Sequence, residues 1–363
     1  MLILPVAGRA GFSTRGWDMG KIFLGLFLIS TGTAIDSGAD DCDGILPNAL
    51  PPSHSIVTPH RDGDACGYVT VDGGGNVASL GSGSWTVVSR DGDILGAFAV
   101  QSDVMPQPSG FQGVSTSVRC SVEDLCFYHY HFNPDGTVRA RSYLGAGDAC
   151  GGTIGRIVGG GSEVRRFCAS QLSLLRFDSD GNLVSSGIVR SGAFWVAVDT
   201  NGLSLVVYSD GAAFGYGPDD YVGRWFDEAV NPISDYFLIL TTPGTRPVPT
   251  LRPLIGGGIV VQLGGDWVAM SPSGMPESRP APDWLAPYSN YDIEIVRSGR
   301  AHALIPKYPV PDRSTVPLYS ASGAHCGDAT FPLPNVTVGM DGTAISSTGD
   351  DACTITWWPQ VLL

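Results

Sequence analysis

Lysine is almost missing from this chain: of its 363 residues, only Lys21 and Lys307 carry an ammonium group. The formal net charge is -14, and the arginines are scattered rather than clustered. A polyanion such as DNA is held by clustered cations that displace its counterions, so the composition argues against a nucleic-acid partner. Long apolar runs are scarce too. The run from Ile22 to Ile29 falls well short of the ~20 residues that a bilayer-spanning helix needs, which argues against a membrane span. No Cys-x-x-Cys pair occurs, and the shortest cysteine spacing is that of Cys120 and Cys126, which argues against a structural zinc site. Sustained helical periods with caps are also lacking; the stretch from Asp219 to Glu228 reads as one short helical turn at most.

What the chain does have is turn chemistry and cysteine. It carries 49 glycines and 26 prolines with only 15% charged residues, and a hydrophobic content of 43% separates it from disordered sequences. Runs rich in Val, Ile, Phe, Tyr and Trp end at tight reversals: Trp85 to Val88 before Asp91-Gly92, and Phe127 to Phe132 before Asn133-Pro134-Asp135-Gly136. Others are Leu172 to Phe177 before Asp178-Ser179-Asp180-Gly181, Trp195 to Val198 before Asn201-Gly202, and Val336 to Val338 before Asp341-Gly342. Each reads as a β-hairpin in which Asp or Asn caps the turn and Gly supplies positive φ.

Gly92, Gly136 and Gly181 lie 44 and 45 residues apart, the length of a four-stranded propeller blade. Later turn glycines leave that period, as expected if inner and outer hairpins are both marked or loops are inserted. The expected fold is therefore all-β: a disulfide-stapled β-propeller of seven blades, with six or eight as alternatives. The terminal strand Cys353 to Trp358 would complete a blade begun near the mature N-terminus. A pair of β-sandwiches or a β-helix is the competing architecture.

Phe132-Asn133-Pro134-Asp135-Gly136-Thr137-Val138 and Arg176-Phe177-Asp178-Ser179-Asp180-Gly181-Asn182-Leu183 resemble the hairpin turns of bacterial extracellular β-propeller repeats. The resemblance implies the fold. Members of that broad group include binding platforms, scaffolds and enzymes.

The N-terminus has the layout of an export signal: Lys21, the apolar run Ile22 to Ile29, then small residues to Ala34. Residues 1–34 are expected to be a signal peptide, with Met19 as a natural start, and 35–363 a single propeller domain in a secreted or periplasmic protein. Eight cysteines, an even number, fit an oxidising compartment. Because short loops close at least entropic cost, nearest-neighbour pairing is expected: Cys42 with Cys66, Cys120 with Cys126, Cys150 with Cys168, Cys326 with Cys353.

Several motifs invite chemistry. Asp178-Ser179-Asp180-Gly181-Asn182 looks like part of a calcium loop but lacks the third ligand and the distal Glu, so it reads as a turn. His129 and His131 alternate in a strand and face the same way as Phe127; they are candidate metal ligands without an identifiable third, and a partly exposed strand pair is the plainer reading. Asp219-Asp220 and Asp227-Glu228 offer carboxylates for glycoside chemistry or solvated loop charge. The tracts Gly73 to Gly75, Gly159 to Gly161 and Gly256 to Gly258 precede no helix, which removes phosphate cradling. No cofactor is called for. Two functions remain: a non-catalytic exported propeller that binds a protein or glycan, and an extracellular carbohydrate hydrolase or lyase using acidic residues and aromatics such as Trp225, Trp284 and Tyr288.

Overall fold

The computed structural model describes residues 41–362 apart from 59–67, 82, 101–102, 120–124, 147–149, 169–170, 190–193, 274–275, 279–281, 290–292, 307–313 and 350–352. The expected signal peptide, Met19, Cys66 and Cys120 lie outside these residues.

Seven separate four-stranded antiparallel sheets form a seven-bladed β-propeller. Blades 1 to 6 are continuous in sequence, over 69–98, 105–146, 151–189, 194–241, 250–278 and 293–330. Blade 7 joins the two ends of the chain: Val336–Val338, Ala344–Thr348 and Cys353–Trp358 are completed by His54–Thr58, which pairs with Cys353–Trp358. Seven distinct sheets leave no place for a sandwich or a β-helix.

The irregular glycine spacing now has a cause. Gly92, Gly136 and Gly181 sit in the turns between the third and fourth strands of blades 1, 2 and 3, whereas Gly202 and Gly342 sit between the first and second strands of blades 4 and 7. All five have φ between 79° and 97°, a region closed to most side chains. Asp178 shows how the turn is built: its Oδ1 accepts from the backbone N–H groups of Asp180 and Asn182, both at 2.9 Å. Those hydrogen bonds hold its carboxyl below the usual carboxylate range against the opposing effect of burial. The motif that looked like a calcium loop spends its carboxylate on the backbone.

The core lies between blades, so each sheet is buried on both faces. Trp85 and Phe98 of blade 1 pack with Phe111 and Phe132 of blade 2, and Phe98 stacks on Phe132 at 4.0 Å. Val164, Leu175 and Phe177 of blade 3 meet Phe127 and Val114 of blade 2. Similar clusters fill the remaining interfaces, closing with Trp357 of blade 7 against Val71, Val77 and Val88 of blade 1.

Three expectations are corrected. The stretch from Asp219 to Glu228 is not helical: Asp220–Phe226 is a strand, and a short 3-10 turn lies earlier, at Gly211–Phe214. Trp225 is not a surface aromatic; it is 1% exposed within the core between blades 4 and 5. Cys42 pairs with Cys326, which overturns the expected Cys42–Cys66 and Cys326–Cys353 pairs. Loop closure in the unfolded chain favours short spans, but ring closure lays residues 41–53 beside blade 6 and brings the distant thiols together. Ile45 is buried there with Phe331, Trp358 and Leu362. Cys150 pairs with Cys168 as expected, and Cys126 and Cys353 are also disulfide-bonded.

Candidate functional site

Antiparallel pairing puts the first-to-second and third-to-fourth connections of every blade on one face. On this turn face the blades are stitched together by side chains that imitate the backbone. Asp72 of blade 1 accepts from Gly110 N of blade 2 at 3.1 Å, and Gly73 N donates to Gln107 O at 2.7 Å. Gln107 in turn accepts from Gly161 N of blade 3 at 2.6 Å. Asp199 of blade 4 accepts from Gly258 N of blade 5 at 3.0 Å, and Trp357 Nε1 donates to Gly75 O at 3.1 Å. Between blades 3 and 4, the buried Arg176 and Glu163 form an ion pair at 3.0 Å, and Arg176 also donates to Gly202 O. Buried charge persists only when paired and hydrogen-bonded in this way.

His129 and His131 belong to this stitching. They share a face with Phe127, as the strand alternation requires, but they are 1% and 0% exposed rather than partly exposed. The seam between blades 2 and 3 covers both rings, which the sequence of one strand does not reveal. His129 stacks on Phe177 with ring centroids 3.7 Å apart, and its Nε2 lies 3.3 Å from Gln112 Oε1. Burial, reinforced by His131, lowers its pKa to about 3, so it is neutral near pH 7. His131 Nε2 faces Ser109 O at 3.2 Å. Among the described residues no three His, Cys, Asp or Glu side chains come together to hold a metal ion.

Two of the carboxylates considered for glycoside chemistry, Asp220 and Asp227, are likewise engaged. Asp220 accepts from Gly217 N at 2.6 Å and from Thr241 Oγ1 at 2.5 Å. Asp227 accepts from Asn231 N at 2.7 Å, and this bond holds its carboxyl below the usual range. Trp284 is half-buried and packs on Tyr319 with ring centroids 5.4 Å apart.

A different group stands out at the centre of the turn face. The strands Ile293–Ser298 and Ala301–Pro306 of blade 6 are joined by Gly299 and Arg300 alone. Gly299 has φ 55°, the positive value that a two-residue hairpin of this kind needs at its first central position. This tight reversal projects Arg297 and Arg300, both exposed. Among the described residues neither has a carboxylate partner, and Arg297 is tied only to Gly299 O at 3.4 Å.

Two depressions meet at this hairpin and share Arg297 and Gly299. One, of about 390 Å³, is walled by first turns of other blades through Gly73, Pro108, Gly159, Met340 and Asp341. The other, of about 440 Å³, is walled by Arg300, Asp41, Ser320, Ala321 and Ser322. Both volumes fall in the ~300–1,000 Å³ range usual for small-molecule sites. Sequence reasoning missed this group. Arg297 and Arg300 on either side of Ser298-Gly299 were visible, but their convergence with turns of other blades far away in the sequence was not.

No protein-family model matches the chain, and no curated protein matches it. Among solved structures, it is similar to BBS1N, crystallised in complex with ARL6DN, at 14% identity and TM-score 0.42, covering 87% of this chain and 98% of that one. It is also similar to the Dos1 propeller at 8% identity and TM-score 0.41, covering 88% and 96%. The WD40 domain of Toxoplasma gondii coronin matches at 8% identity and TM-score 0.41, covering 87% and 88%. At these identities the likeness is one of fold.

Proposed function

We propose that this chain is an exported, non-catalytic binding protein that presents the turn face of its propeller to a protein or glycan. The observation that carries this reading is the preorganised rim: two exposed guanidiniums, without ionic partners among the described residues, stand on a two-residue hairpin beside paired depressions. Side-chain stitches between blades hold the surrounding turns, so little ordering entropy is lost on contact. Export to an extracellular or periplasmic compartment is supported by the disulfides Cys42–Cys326 and Cys150–Cys168 and by the signal-like segment before Ala34. The resemblance of the Asn-Pro-Asp-Gly and Asp-Ser-Asp-Gly turns to bacterial extracellular propeller repeats points the same way.

Two experiments test the proposal. A panel of glycans and envelope proteins should yield a saturable ligand, and N-terminal sequencing of the exported form should begin near Ile35. Turnover of a polysaccharide, abolished by replacing a single carboxylate, would replace binding with catalysis.

A further inference from the structure

We infer that the Arg297–Arg300 hairpin recognises the carboxylate of an acidic sugar of the uronate type. The inference rests on the binding function proposed above and gives that site a ligand chemistry.

Charge comes first. In a chain of net charge -14, most arginines of the described blades are occupied: Arg156 by Glu294, Arg176 by Glu163, Arg139 by Asp180, Arg252 by Gln262. Arg297 and Arg300 lie three residues apart on one rigid turn, and no carboxylate among the described residues pairs with either. A guanidinium presents a planar fork of donors that matches a carboxylate in two parallel hydrogen bonds. The depressions also hold two carboxylates, Asp41 in one and Asp341 in the other. Two cations beside two anions suit a single added negative charge better than a dianion such as a phosphate monoester.

Hydrogen-bonding capacity then selects among monoanions. Asp341 accepts from Thr343 N at 3.0 Å and from Thr343 Oγ1 at 2.7 Å. Asp41 accepts from Ser322 Oγ at 2.7 Å, while Ser320 Oγ lies 2.8 Å from Ser322 Oγ and accepts from Ala324 N at 3.2 Å. The serine O–H donors are therefore spent: Ser322 donates to Asp41, and Ser320 to Ser322. What this wall still offers is acceptor lone pairs, on Asp41 and on the serine oxygens. A ligand that fits must bring one carboxylate for the arginines and several O–H donors for the wall. A uronate residue has both, whereas an acidic peptide brings a carboxylate with few hydroxyls.

The test is calorimetric titration of the full chain with trigalacturonate, using its methyl ester as the neutral control with the same hydroxyls. The acid should bind saturably and the ester at least about tenfold more weakly. R297A/R300A should lose about tenfold or more in affinity for the acid with an unchanged melting temperature, and R119A, at an exposed arginine elsewhere, should lose nothing. R297K/R300K keeps the charge without the planar fork and should fall between; it also keeps the test readable should the alanine pair fail to fold. Equal binding of acid and ester, equal binding by wild type and R297A/R300A, or no binding of the acid overturns the inference. Capture of another glycan or protein by wild type and R297A/R300A alike leaves the binding function standing without this ligand; capture of nothing by either removes both.

Discussion

Blade 3 and blade 7 have the same four-stranded plan and are completed in opposite ways. Blade 3 is one unbroken stretch, 151–189, with the Cys150–Cys168 staple at its edge. Blade 7 takes three strands from one end of the chain and its outer strand, His54–Thr58, from the other. The consequence shows in the neighbours. The outer strand of blade 1 receives the third turn of blade 2 at Gly96, where a Cβ would lie 2.1 Å from Asp135 O. The outer strand of blade 3 receives the third turn of blade 4 at Gly187, where a Cβ would lie 2.6 Å from Val230 Cγ1. Blade 7 has no third turn to offer, because its outer strand arrives from elsewhere. At the matching place on blade 6, Gly327 meets Leu46 instead, and Cys326 beside it is bonded to Cys42. The segment 41–53 thus fills the contact that ring closure leaves vacant.

The sharpest way to break this comparison is to remove each staple in turn. In the chain-entropy view, a cross-link spanning 284 residues constrains the unfolded state by about 6 kcal/mol and one spanning 18 by about 3 kcal/mol. C42S/C326S should therefore lower the urea midpoint more than C150S/C168S; equal losses would mean that closure at blade 7 relies on strand pairing alone. Next in size, Trp357→Ala should cost about 3–5 kcal/mol. It empties a fully buried position between blades 7 and 1 and removes the bond to Gly75 O, and differential scanning calorimetry reads the loss.

Gly96→Ala should cost about 1–3 kcal/mol, because its Cβ meets backbone rather than a movable side chain. A change within 0.5 kcal/mol would show that the turn of blade 2 is not seated as described. A further prediction concerns pH, where the effect is nil near neutrality and grows only in acid. His129 has its pKa lowered from 6.5 to about 3, so the unfolded chain takes up a proton at higher pH than the folded one. Its contribution to stability is complete above pH 6.5 and fades as pH falls toward 3. His129→Gln should flatten the urea midpoint against pH across that window; an unchanged slope would assign it to other groups.

Much of the fold was legible in local chemistry. Asp-Gly turns at 44- and 45-residue spacing marked three successive blades, because a turn needs positive φ in the same place each time. Strand alternation correctly put Phe127, His129 and His131 on one face. What stayed hidden depends on residues far apart in sequence. Burial of the two histidines comes from the neighbouring blade, through Phe177 and the Gly181 turn. The partner of Cys42 is fixed by where the ring closes, and the Arg297–Arg300 rim takes its walls from Gly73, Gly159 and Met340. No short-range pattern encodes any of these.

One ion pair gives the wheel a spoke. Arg156, on the innermost strand of blade 3, reaches Glu294 on the innermost strand of blade 6, two blades that share no seam. A ring tied only rim to rim can dilate by small slips at every joint. This one cannot widen along that diameter without drawing a guanidinium from its carboxylate where both are almost hidden from water, and such separation is expensive. The hub is thus tied across its axle by one charge pair as well as around its rim.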